Sequence, residues 1–352
     1  MKKILIFIIG IISILSFYLF HDYKNITQLT FVNSIGIDYN EETKEYTMYF
    51  FILNNYTIAQ TGNSASFTNT HAYTTKASDK EILLAENKIR DNSNTKFDLS
   101  HVRSFVIKTS FFKNDNILKL INYIKNSNKY SPSFEIYTTD DSLDELYKLE
   151  NFSEVSGYYT ILVNTQNNIP VRHVTYSDLC NDIYIKDYVV PYQKLKINKG
   201  IITDSEKEYI TLSFDGCTFI DDSYNISSFK YQNLHGVAYF TSKINRPIVI
   251  EHDSKSYTFS ANMLKITHKV KDNKLLITIK INGSFIDKDN IYNVNLENVL
   301  KEKLTSDISI MYQTFNNYDI DFFNISYRYN NKYNYKELDI NFDVKIISNN
   351  HN

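Results

Sequence analysis

Residues 4–20 read ILIFIIGIISILSFYLF, a run without a single charge, preceded only by Met1, Lys2 and Lys3. At about 1.5 Å per helical residue, such a run just spans the hydrocarbon core of a bilayer when snorkelling residues extend its ends. A helix that is apolar on every side must be surrounded by protein or by lipid. No second run of this kind follows it in the chain. Lys2 and Lys3 ahead of the run, with His21 and Asp22 behind it, leave the N-terminus in the cytoplasm and the bulk of the chain extracytoplasmic. A cleavable leader ends in small residues. Here the end reads Ser16-Phe17-Tyr18-Leu19-Phe20-His21, which is bulky where a cleavage site needs alanine. A lipoprotein leader needs a cysteine at that place, and the first cysteine is Cys180. The expectation is an uncleaved signal anchor, or transmembrane helix, within residues 1–22.

About 330 of the 352 residues follow this segment, enough for two or three domains. The net charge is −2, so nothing points to nucleic acid as a partner. The chain has 8 glycines and 4 prolines, which argues against both disorder and glycine-rich phosphate loops. Two cysteines, Cys180 and Cys217, make no disulfide framework, and Cys217 lies in an apolar strand pattern.

The periodicities point to an α+β fold in which the membrane helix is followed by three mixed α/β domains with largely antiparallel sheets packed by helices. The first, 23–198, opens with strands at 29–37 and 45–54 and a short strand at 71–76. Ser78-Asp79-Lys80-Glu81 matches a capping box before a helix with Ile82, Ala85 and Ile89 on one face. A central strand follows at 101–109. Then comes a helix capped by Asn114 with the stripe Ile117, Leu120, Ile121 and Ile124, a strand at 133–138 and a short helix at 142–149. Strand content is expected at 155–169 and a helical turn or two at 175–182. The second unit, 199–264, is small and mainly β, with short strands at 209–213 and 217–220 around Asp215-Gly216, a strand start at His235-Gly236, and strands at 247–251 and 256–260. The third, 265–352, is a long helix on a small sheet. Leu275, Ile277, Ile279 and Ile281 alternate with polar neighbours, as do Leu338, Ile340, Phe342, Val344 and Ile346. Between them Leu296, Val299, Leu300, Leu304, Ile308, Met311 and Phe315 mark one helical side.

No nucleophile, zinc or phosphate-loop motif occurs. None of the eight histidines pairs with another at metal-ligand spacing, so no metal, cofactor or catalytic residue is expected. The acidic pairs Glu41-Glu42, Asp140-Asp141, Asp144-Glu145 and Asp221-Asp222 fall at turns and helix starts, where the helix dipole favours acids. The chain reads as non-enzymatic.

Several of these segments stand in a recognisable order. Ile35-Gly36-Ile37-Asp38, with Ser34 before it, resembles an AIGID segment. Ser100-His101-Val102-Arg103 resembles the lead into the central strand. Gly216-Cys217-Thr218-Phe219 resembles a GTAVF segment, and LHGVAYF, with Gly236, follows after a spacer. In this order they resemble the Ger(x)C family, the C subunit of spore germinant receptors. The resemblance implies a three-domain α/β protein on the outer face of the spore inner membrane. It would work beside A-type and B-type membrane subunits in nutrient-triggered germination, with small-molecule germinants reached through the complex. It implies structural roles for Ile35, Gly36, Ile37, Asp38, His101, Arg103, Gly216, Phe219 and Gly236. Two departures stand out: Phe20-His21-Asp22 occupies the place of the family's acylated cysteine, and a Tyr/Asn-rich stretch, 327–336, replaces a basic Trp-containing helix. The alternative reading is a membrane-tethered extracytoplasmic ligand-binding protein.

Overall fold

A computed structural model describes residues 29–53, 72–113, 115–148, 173–185, 188–203, 208–221, 224, 226–230, 236–237, 239, 247–286 and 296–348. The expected anchor and the strand content at 155–169 lie outside these residues. Among the described residues no helix is long and apolar enough to cross a membrane.

The first sheet is built on β1 (Leu29–Asn40), which pairs antiparallel with β2 (Glu45–Leu53), and β2 pairs likewise with β3 (Ala72–Asp79). The other side of β1 pairs parallel with β4 (Lys96–Asp98) and β5 (Ser104–Lys108). The parallel series continues through β6 (Glu135–Thr139) to β7 (Tyr192–Thr203). Two antiparallel strands, β8 (Glu208–Ile220) and β9 (Ile226–Lys230), close the far edge. The expected antiparallel pairing holds for most strand pairs, but the centre of this sheet departs from it. The centre is parallel because helices cross between β5, β6 and β7, and such strands are buried on both faces. Phe105 and Ile107 of β5 face one core while Val106 faces the other.

Three helices cover the first face: α1 (Ile82–Asp91), α2 (Asn116–Ser127) and, after the short α3 (Leu143–Tyr147), α4 (Tyr176–Tyr184). Ile82, Ala85 and Ile89 of α1 and Ile117, Leu120, Ile121 and Ile124 of α2 are buried there, as their spacing requires. Helix α3 covers the opposite face with Leu143, Leu146 and Tyr147. The capping box expected at Ser78 does not form. Ser78 remains in the β3 ladder, where its hydroxyl bonds Thr47 at 2.8 Å, and Glu81 precedes α1 without a side-chain cap. Asn114 lies outside the described residues, and Asp115, in the left-handed region, precedes α2. The capping box that does form is Thr175 with Asp178, at the start of α4.

The second sheet is an antiparallel meander of β10 (Pro247–His252), β11 (Lys255–Lys271) and β12 (Lys274–Phe285). Both hairpins turn on two residues with positive φ, Asp253-Ser254 and Asp272-Asn273, as the right-handed twist of paired strands favours. A right-length crossover through α5 (Leu296–Asn317) then returns the chain as β13 (Asp339–Ser348), parallel to β12. Leu296, Leu300, Leu304, Ile308, Met311 and Phe315 pack with Leu275, Ile277, Ile279 and Ile281 in one core. Phe342 and Val344 share that side but remain half-buried, since β13 is the sheet edge. Between α5 and β13 the short α6 (Ile325–Arg328) occupies part of the Tyr/Asn-rich connection.

The described strands thus form two sheets. The 198/199 boundary falls inside β7, and the strands of the expected middle unit are divided, β8 and β9 joining the first sheet and β10 and β11 the second. The two short strands expected around Asp215-Gly216 are one strand, β8, with a register shift at Asp215 where Gly216 opposes Lys194 and Phe214 opposes Leu195. Gly236 and Val237, expected to begin a strand, are helical.

Candidate functional site

The residues singled out from the sequence occupy separate places. Ile35 and Ile37 are fully buried in β1. Gly36 faces α3: a Cβ there would lie 2.7 Å from Tyr147 Cε2 and 3.2 Å from Leu143 Cδ1. Its requirement is a close approach and not a positive φ. The neighbouring Ser34 hydroxyl reaches Tyr147 Oη at 3.0 Å. Asp38 accepts from the Tyr39 amide at 2.8 Å and from the Ser110 hydroxyl at 3.2 Å. His101 and Arg103 are exposed and precede β5, with His101 edge-on to Phe31. Gly216 and Phe219 lie on β8, where a Cβ on Gly216 would meet the Phe229 carbonyl oxygen at 1.8 Å. Phe219 packs edge-on against Phe315 of α5. A Cβ on Gly236 would come 2.7 Å from the Asp307 carbonyl oxygen of α5. Ile35, Gly36, Ile37, Gly216, Phe219 and Gly236 sit in packed surroundings, Asp38 is held by hydrogen bonds, His101 and Arg103 are exposed, and none of these side chains converges with another on a cavity.

At the carboxyl ends of β5 and β6 the chain leaves toward opposite faces, the usual place for a ligand crevice in an open α/β sheet. That place is filled by protein. Lys108 Nζ donates to the Asp140 and Asp141 carbonyls at 2.7 and 3.2 Å, Lys194 pairs with Asp140, and Asp141 accepts from the Ile197 amide at 2.6 Å. These acids are held at a strand end, as their turn positions suggested.

The cleft that is open lies where the two sheets meet. The segment leading into β7 passes between α4 and the second unit, and Asn324 fastens it. The Val189 amide donates to Asn324 Oδ1 at 2.5 Å, and Asn324 Nδ2 donates to the Val189 carbonyl at 3.2 Å. Tyr188 stands edge-on to Tyr327 at 5.4 Å. On one side of this tie is a cavity of about 440 Å³, within the range of small-molecule sites. Its walls are Val174, Val190 and Pro191 from the first unit and Ile266, Phe322 and Phe323 from the second. Asp178, Tyr188, His268 and Arg328 supply its titratable groups.

Burial, with the neighbouring Arg328 guanidinium, pushes His268 down to about 4, so its imidazole is neutral at pH 7. Arg328 Nη1 lies 3.0 Å from His268 Nε2. A permanent cation has no acceptor of its own, so the guanidinium donates and Nε2 accepts. The imidazole also meets the Phe323 backbone, and the two rings lie 4.9 Å apart. Asp178 is buried at the start of α4, where its carboxylate accepts from the Thr175 amide and hydroxyl at 2.9 Å. No sequence motif marks this cleft, because His268 and Arg328 lie on different elements and Val189 and Asn324 are 135 residues apart.

Among the described residues no group of three or more His, Cys, Asp or Glu is placed to hold a metal ion. Cys180 and Cys217 are both free thiols, and burial pushes the Cys217 thiol well up.

A family model described as the spore germination protein N-terminal domain matches residues 22–195. No curated protein matches the chain in sequence. The crystal structure of the GerBC protein superposes with a TM-score of 0.48 at 14% identity, over 90% of this chain and 97% of that one. The domain match spans the first sheet from β1 into β7, with the helices that cover it. It includes Ile35, Gly36, Ile37 and Asp38 and the lead into the central strand. By that domain the chain belongs to the Ger(x)C family, the C-subunit family of spore germinant receptors.

Proposed function

We propose that the chain is a non-enzymatic C subunit of a spore germinant receptor, tethered to the outer face of the spore inner membrane. The observation that carries this is the spore germination domain at residues 22–195, directly behind the uncharged run at 4–20. In this reading residues 4–20 stay attached as a membrane helix, Lys2 and Lys3 face the cytoplasm, and both sheets stand outside. The lost acylation site is replaced by the helix itself. The sheets present rigid faces to A-type and B-type membrane subunits and help assemble them. No chemistry is asked of the chain, in keeping with glycines and acids engaged in packing and strand ends.

Affinity purification of the tagged full chain from spore membranes tests the complex. A-type and B-type subunits are expected to co-purify, and their absence under mild detergent would count against the assignment. N-terminal sequencing tests the anchor. A mature chain starting at or after residue 17 would leave a secreted protein. The second reading, a membrane-tethered ligand-binding protein, is favoured by one observation, the open cleft between the sheets with its partly apolar walls.

A further inference from the structure

Arg328 is held in an unusual way. Salt-bridged arginines are oriented and neutralised together by a carboxylate. Here the orienting acceptor is the uncharged Nε2 of His268, whose ring is held in turn against the Phe323 backbone and ring, 4.9 Å between ring centres. Among the described residues Arg328 makes no ion pair with an acid. The guanidinium has five N–H donors and spends one on the imidazole. It therefore stands on the exposed rim of the cleft, aimed but carrying its full charge. The carboxylate among the lining residues, Asp178, is directed into the α4 start by the two bonds from Thr175. Below the rim the walls are Val190, Pro191, Ile266 and Phe322. A bidentate donor above an apolar wall matches a planar oxyanion joined to an apolar body.

We propose that the cleft between the two sheets binds a small organic carboxylate, its oxygens on Arg328 and its apolar body against Val190, Pro191, Ile266 and Phe322. His268 is then a positioning residue for the guanidinium. Since the walls come from both units, an occupant bridges them across the Val189–Asn324 tie. This gives the ligand-binding reading its chemical class. It holds whether or not the chain works in a receptor, because binding is measured on the purified chain and receptor function by germination.

The test uses the full chain in lipid nanodiscs, with 3-phenylpropionate as probe and its neutral amide and inorganic phosphate as comparisons, read by calorimetry and by saturation-transfer NMR. The carboxylate is expected to bind, with the amide roughly tenfold weaker or worse. Arg328→Gln should weaken carboxylate binding by a similar factor without moving the thermal midpoint. Arg328→Lys, which keeps the charge but not the fork, should fall between. Ile266→Trp, which narrows the cleft from the strand face that also carries His268 and touches no charge, should also weaken binding and serves if the arginine variants fold poorly. Equal binding of acid and amide, binding unchanged in Arg328→Gln and Ile266→Trp, full competition by phosphate alone, or no binding of 3-phenylpropionate at about 10 mM would each overturn the proposal.

Discussion

Asn324 satisfies both backbone polar groups of Val189, accepting from its amide at 2.5 Å and donating to its carbonyl at 3.2 Å. A single side chain of the C-terminal unit thereby completes the hydrogen bonding of a strand lead that the first sheet leaves unpaired. Asn324 sits in the left-handed region with φ 53°, which asparagine tolerates better than most residues.

Asn324→Ala should cost about 2–3 kcal/mol, because two part-buried backbone groups lose their partners. Asn324→Gly relieves the backbone strain but restores neither bond, so it should recover only a few tenths of that loss. Urea unfolding of both variants separates the two contributions. Equal stability of wild type and Asn324→Ala would mean that water replaces the tie.

Gly36 and Gly216 should respond differently to a second substitution. The obstacle at Gly36 is a side chain, Tyr147, while at Gly216 it is the Phe229 backbone. Gly36→Ala should cost about 1–3 kcal/mol through overpacking. Part of that should return when Tyr147→Ala is combined with it, giving a favourable coupling in the double-mutant cycle. Gly216→Ala should cost at least as much, and Phe229→Ala should return none of it. Additive energies at Gly36 would show that α3 moves aside.

His268 makes stability depend on pH. Its folded value near 4 is below its unfolded value of 6.5, so the unfolded chain binds the extra proton first as pH falls. The contribution of the neutral imidazole is complete above 6.5, declines between 6.5 and 4 and is gone below 4. Its full size is on the order of 3 kcal/mol. His268→Asn cannot titrate, so the wild-type minus variant difference should shrink across that window. A constant difference from pH 7 to 4.5 would rule out this coupling.

Much of the second unit was legible because its signals are local. The alternation of Leu275, Ile277, Ile279 and Ile281 and the stripe from Leu296 to Phe315 each report one element meeting one core. The buried faces of α1 and α2 were readable for the same reason. The parallel centre of the first sheet was not, since nothing in β5 alone says that it lies between β1 and β6. Capping was misplaced at Ser78 because the β3 ladder competes for the same hydroxyl, whereas Thr175-x-x-Asp178 carried an equivalent signal that forms. Phe342 and Val344 have core spacing but lie on an edge strand, so they stay half-buried. The glycines were legible as positions of constraint, but not what each one meets. The cleft depends on Val189, His268, Asn324 and Arg328 meeting across long sequence separations, which no short pattern encodes.

The receptor role is tested most directly by germination itself. Spores lacking this chain should fail to germinate, or do so far more slowly, with at least one nutrient to which the parent responds. The full chain supplied in trans should restore the response, whereas a version without residues 1–22 should not. Unchanged germination under every nutrient that triggers the parent strain would contradict a receptor subunit.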